Sequence, residues 1–188
     1  MASTAADGAL SIKSVSPEEL HRASTVIEEI YKEVFCGPPY YEPESSASAF
    51  VGRLQGQAGR EGWRLLAAEQ HGHMQGFVFG YISRPGQYWH DRVTPALKAG
   101  LVERWFQNSF VLVEFAVRPA AQGRGIGSRL HDAILDDTPQ PMALTMTNQD
   151  ENPAVRFYLN RGWHVLGEGF RFHDRDAPRL ILGCEPRR

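Results

Sequence analysis

The amino-acid sequence predicts a mixed α/β domain built around one central sheet. Three observations predict it. Val111 to Val117 is apolar except for Glu114, as a strand buried on both faces would be. Leu20, Ala23, Ile27, Ile30 and Val34 recur at helical spacing. Strand-like and helix-like segments follow one another as strand, two helices, three strands, helix, strand, helix, two strands.

The elements are justified in that order. Residues 1–8 read as a frayed tail and 9–188 as a single domain. Ser11 to Val15 suits a short strand. Ser16-Pro17-Glu18-Glu19 reads as a helix start, with Ser as cap, Pro at the first helical position and Glu three residues after the cap. Cys36-Gly37-Pro38-Pro39 must end that helix. A second helix is expected over 46–57, with Phe50, Val51 and Leu54 on one side. Trp63 to Glu69 and Met74 to Ser83 read as strands of a hairpin turned through His71-Gly72-His73. Residues 84–110 read as an insertion holding a helix over Pro95 to Phe106. Pro119 ends the central strand. Ile126, Leu130, Ala133 and Ile134 mark an amphipathic helix, and Met142 to Thr147 a further strand. Asn152-Pro153 opens the last helix, with Asn as cap and Pro in the first turn, and Gly162 closes it. Trp163 to Phe172 and Arg179 to Gly183 are the closing strands.

Composition narrows the function. The 188 residues suit one hydrophobic core, and 42% hydrophobic with 22% charged residues is ordinary for a globular chain. Twenty basic residues stand against 22 acidic ones, for a net charge of -2, without a long basic run. That excludes the electrostatic footprint of a nucleic-acid binder. Cys36 and Cys184 have neither the number for a disulfide framework nor the spacing of a metal site. No apolar run approaches the roughly 20 residues of a membrane span, and the N-terminus has no secretory pattern. The expectation is a cytoplasmic protein without metal or membrane partner.

The segment Val111 to Leu130 carries the most chemistry. A strand runs into a glycine-rich turn, and the turn opens a helix. Gly123, Gly125 and Gly127 let the backbone approach a ligand closely. Amides of the first helical turn, together with the helix dipole, make an anion site suited to a pyrophosphate. Gly123-Arg-Gly-Ile-Gly is not the G-x-G-x-x-G of a dinucleotide fold, and no Gly-Lys-Ser/Thr of a P-loop follows it. Taken alone, the cluster reads equally as a plain glycine turn before a helix.

The motif has a companion. Gln122-x-x-Gly125-x-Gly127 resembles the Q/R-x-x-G-x-G/A signature of the GNAT superfamily of N-acetyltransferases. Asn152-Pro-Ala-Val-Arg-Phe-Tyr-Leu-Asn-Arg-Gly-Trp163 resembles the family's N-x-x-A-x-x-x-Y-x-x-x-G-F segment, with Ala154 one residue early and Trp163 in place of Phe. The likeness spans roughly residues 60–170. It implies the GNAT-type acyl-CoA N-acyltransferase fold, acetyl-CoA as co-substrate and direct transfer of an acetyl group to a primary amine. On that resemblance, the backbone of Phe115, Ala116 and Val117 would pair with the pantetheine arm. Gln122, Gly123, Arg124, Gly125, Ile126, Gly127 and Ser128 would hold the pyrophosphate, and Asn152 would contact the arm near the thioester. The two central strands would splay to admit the acetyl group.

Side-chain roles follow, each with an alternative. Tyr158 lies where the family places a tyrosine near the sulfur; it would protonate the departing thiolate, or else pack its ring in the core. Glu114 would be the base, or a structural carboxylate bonded to Arg118, Arg124 or a backbone amide. Strand alternation sets Glu114 and Ala116 on one face and Phe115 and Val117 on the other. Arg129 reads as solvated surface. Phe35-Cys-Gly-Pro-Pro-Tyr-Tyr41 is a rigid loop in the region that lines the acceptor site in GNAT folds. Tyr40 and Tyr41 would stack on an acceptor or its cation, and Tyr88, Trp89 and His90 would form another wall; otherwise both segments anchor loops to the core. A small amine, an antibiotic amine and a protein N-terminus all stay open as acceptors, as does a homodimer. The rival functions are transfer of a longer acyl group and acyl-CoA sensing without turnover.

Overall fold

Chain chemistry within a few residues accounts for most element boundaries. At the start of the first helix, Glu19 N donates to Ser16 Oγ (3.3 Å) while Ser16 N donates to Glu19 Oε2 (2.9 Å). This is the reciprocal cap that the Ser-Pro-Glu-Glu run predicts. Helix α1 itself spans Leu20–Phe35, because Pro17 to Glu19 form a turn closed on the Ser16 carbonyl. A computed structural model of the chain describes residues 8–136, 138–150 and 152–186. The tail expected over 1–8 lies, apart from Gly8, outside the described residues.

Strand β1 is Ser11–Ser14, helix α2 is Ser45–Gln57, and β2 (Arg64–Gln70) and β3 (His73–Ile82) form the expected hairpin. Gln70 pairs with His73, so the link is His71-Gly72 rather than three residues. Both hold positive φ, 53° and 71°, the two-residue turn that matches strand twist. Strand β4 is Ser109–Val117, α5 is Ile126–Asp136, β5 is Met142–Asn148, α6 is Pro153–Leu159, β6 is His164–Phe170 and β7 is Arg179–Cys184. The seven strands form one mixed sheet in the order β1-β2-β3-β4-β5-β7-β6. The pairings β1–β2, β2–β3, β5–β7 and β6–β7 are antiparallel, and β4–β5 is parallel.

Two expectations need correction. The insertion holds two short helices, α3 (Tyr88–Val93) and α4 (Ala99–Trp105), where one helix over Pro95 to Phe106 was expected. Pro95 sits in a single 3-10 turn, and Leu97 and Lys98 are extended (ψ 156° and 140°), which separates the helices. Strand β4 is not buried on both faces along its length. Ser109 to Leu112 are buried, whereas Val113, Glu114, Phe115 and Val117 are only half-buried. An ionisable Glu114 fits a strand that emerges from the core halfway along.

Of the described residues, those within Met1–Gly80 and Glu114–Asp137 form one compact unit, and those within Tyr81–Val113 and Thr138–Arg188 another. In the first, Ile27, Ile30, Phe50, Leu54, Leu65, Phe77, Leu130 and Ile134 are buried. Tyr31 stacks on Phe50 (4.8 Å) and Phe50 on Phe77 (5.8 Å), fastening α1 and α2 to the hairpin. Arg64 donates to the Ile134 carbonyl (2.7 Å) and the Ala133 carbonyl (3.3 Å), placing a cation near the C-terminal end of α5. In the second unit, Val93, Trp105, Phe106, Leu144, Phe170 and Ile181 form the core cluster.

Candidate active site

The glycine-rich turn is built as the sequence requires. Gly123 and Gly125 hold φ of 74° and 79°, a region that L side chains avoid. A Cβ at either position would project into open space, so the backbone surface here is bare. The first backbone bond into α5 runs from Arg129 N to Gly125 O (3.1 Å), so the Ile126 and Gly127 amides come before it. Helix α5 has 11 residues and directs the positive end of its dipole at this turn. Gln122 Nε2 donates to the Val117 carbonyl (2.9 Å), bracing the turn against the end of β4. A bare, left-handed glycine backbone leading into a helix N-terminus fits a pyrophosphate.

The loop after α1 lies within electrostatic reach of Glu114. Tyr31 Oη donates to Glu42 Oε2 (2.6 Å), and Phe35 packs edge-on to Tyr40 (5.1 Å). Burial raises the pKa of both Tyr31 and Tyr40, and the carboxylates of Glu114 and Glu42 raise them further. Glu114 therefore lies within electrostatic reach of Tyr40, and two of the predicted site residues converge. Arg118 is not free to serve as its guanidinium partner alone: it contacts Glu33 and lies 3.6 Å from Glu29, both on α1. Tyr41 is exposed and holds φ 51°, with its amide bonded to the Gly37 carbonyl (2.9 Å). Tyr31 and Glu42 have no role in the sequence reading, and Arg118 enters it only as a candidate partner of Glu114. Tyr31 reads as one more core position of α1, and Glu33 lies 85 positions from Arg118.

Asn152, Tyr158 and Trp89 belong to the second unit. Asn152 is the cap of α6: its Oδ1 accepts from Ala154 N (2.9 Å) and Val155 N (3.1 Å), and its Nδ2 donates to the Asn148 and Asp150 carbonyls. The side chain is thus committed to its own strand–helix turn. Tyr158 is buried, with its ring edge-on to Trp163 at 5.0 Å. Trp89 stacks on Phe106 (5.7 Å), His90 meets the same ring edge-on, and Tyr88, though exposed, stacks on Phe172 (5.6 Å). The aromatic wall expected from this stretch is largely spent on packing. Parallel pairing of β4 with β5 covers Ser109–Val111 against Met142–Leu144, followed by Thr145 Oγ1 donating to the Leu112 carbonyl (2.9 Å). Among the described residues no group of three or more His, Cys, Asp or Glu is placed to hold a metal ion. No helix among them is long and apolar enough to cross a membrane.

A strand, a bare glycine turn and a helix N-terminus together make a place where an anionic group fits. Residues 27–163 match the family model of the acetyltransferase (GNAT) family, and the chain belongs to that family. Over 118 residues it is 30% identical to the GCN5-like protein acetyltransferase Rv2170 of Mycobacterium tuberculosis, covering 58% of this chain and 57% of that one. The match thus spans little more than half the length of this relative. The fold matches the ribosomal-protein-S18-alanine N-acetyltransferase of Escherichia coli with a TM-score of 0.62 at 15% identity, over 95% of this chain and 94% of that one. It also matches the PaiA N-acetyltransferase of Thermoplasma acidophilum, solved with coenzyme A, with a TM-score of 0.60 at 15% identity, over 94% and 99% of the two chains.

Proposed function

We propose that this acetyltransferase moves an acetyl group from acetyl-CoA directly to a primary amine of a small molecule or a protein N-terminus. The observation that carries the reading is the bare turn at Gly123 and Gly125, leading into α5. Acetyl-CoA supplies the activated thioester; the chain supplies position and proton handling. Amides from Gly123 to Ser128 hold the pyrophosphate, with Gln122 bracing them. The backbone of Phe115–Val117 aligns the pantetheine arm. Glu114 takes a proton from the acceptor's ammonium, so that the neutral amine attacks the thioester carbonyl, and Tyr158 gives a proton to the thiolate as it leaves. Tyr40, within electrostatic reach of Glu114, lines the acceptor site together with Tyr41. One fold relative solved with coenzyme A, and another named a ribosomal-protein-S18-alanine N-acetyltransferase, support this reading.

The test is thiol release from acetyl-CoA across a panel of amines and N-terminal peptides. Turnover with at least one amine is expected, and Tyr40→Ala should raise the acceptor KM more than the acetyl-CoA KM. Tight acetyl-CoA binding without thiol release would favour a sensor. Faster release from longer acyl thioesters would favour a broader acyltransferase.

A further inference from the structure

We propose that Arg118 is a positioning residue that couples the acetyl-CoA turn to the acceptor loop; the inference rests on the function proposed above. Arg118 is the first residue after β4. Its amide donates to the Gln75 carbonyl (2.8 Å) and its Nε to the Met74 carbonyl (3.0 Å), so its base is fastened to β3. Its guanidinium reaches α1, contacting Glu33 and lying 3.6 Å from Glu29. A planar guanidinium serves a backbone carbonyl and two carboxylates in one fixed geometry, whereas a lysine ammonium is a point charge on a flexible stem.

What lies on each side of Arg118 gives the bridge its meaning. On one side, the Val117 carbonyl holds Gln122, the first residue of the phosphate turn. On the other, Glu33 stands two residues before Phe35, where the acceptor loop begins. That loop is latched to α1 twice, through Glu42 N to the Phe35 carbonyl (2.9 Å) and through Tyr31 to Glu42 (2.6 Å). The last turns of α1, the loop and Tyr40 therefore move together. The α1 carboxylates are partly exposed, so the ion pairs contribute little to overall stability. Their contribution is register: a ligand that orders the turn also orders the loop, the two-site linkage that defines coupling.

Hydrogen exchange with coenzyme A as probe tests this. In the wild-type chain, coenzyme A should slow exchange over 122–128 and also over 36–44. In Arg118→Met, protection over 122–128 should persist while that over 36–44 disappears. In turnover, the acceptor KM should rise about tenfold, within the range of typical site couplings, with the acetyl-CoA KM nearly constant. If Arg118→Met does not fold, Glu29→Gln with Glu33→Gln removes the partners at exposed positions and should give the same loss. Loop protection that survives these variants would overturn the inference while leaving the cofactor site standing. Absence of protection over 122–128 in the wild type would overturn the cofactor reading, and the coupling with it.

Discussion

Tyr31 donates its hydroxyl to Glu42 at 2.6 Å, one of two bonds that join α1 to the far side of the Phe35–Tyr41 loop. The bond requires the phenol to keep its proton. Burial first, and then the Glu114 and Glu42 carboxylates, raise the pKa of Tyr31 and of Tyr40. The folded chain therefore holds these protons more tightly than the unfolded chain. The associated stability is fully present below the ordinary phenol pKa of about 10 and is lost as pH rises from there toward the folded value. Denaturant midpoints measured through this alkaline range should fall more steeply for the wild type than for Tyr31→Phe or Tyr40→Phe. Parallel slopes would show that these phenols do not govern alkaline stability.

Gly125→Asp should separate folding from cofactor binding. Asp tolerates the left-handed backbone better than most residues, and the space beside Gly125 is open. The variant should fold, yet its carboxylate would oppose the pyrophosphate. Calorimetry should find acetyl-CoA binding lost. Unchanged affinity in a folded variant would place the cofactor elsewhere.

Tyr158→Phe keeps the ring against Trp163 and deletes the hydroxyl proposed as proton donor. A lost hydrogen bond is worth about 0.5–1.5 kcal/mol, so thermal stability should change little. The turnover rate should fall roughly 10²–10⁴-fold with acetyl-CoA affinity kept, as for a group used in the transition state. Normal turnover would mean that water or the acceptor protonates the thiolate.

Gly76→Ala tests how closely β3 and β4 approach. An added Cβ would lie 2.5 Å from the Ala116 carbonyl oxygen and 3.0 Å from Val117 Cα, both backbone atoms with little freedom to yield. The expected loss is about 1–3 kcal/mol, as for overpacking. Acetyl-CoA affinity should weaken as well if Ala116 and Val117 align the pantetheine arm as proposed. Chemical denaturation and calorimetry on the same variant would check both; a wild-type midpoint would show that the strands part freely.

What the sequence determined by itself was whatever a few neighbouring residues decide. The Ser16–Glu19 cap, the Asn152 cap and the left-handed Gly123 and Gly125 each depend on hydrogen bonds or steric limits within four residues, so their chemistry could be read directly. The glycine turn at the end of an apolar strand was legible for the same reason. Tertiary structure alone decided which distant groups meet. Arg118 reaches Glu33 across 85 positions of the chain, and the fold, not sequence spacing, brings Glu114 within reach of Tyr31 and Tyr40. It also decided that β4 is only half-buried at Val113, Glu114, Phe115 and Val117, though Ala116 stays buried, and that Trp89 is spent on Phe106. Burial and long-range pairing depend on how whole helices and strands pack, and no window along the chain contains that information.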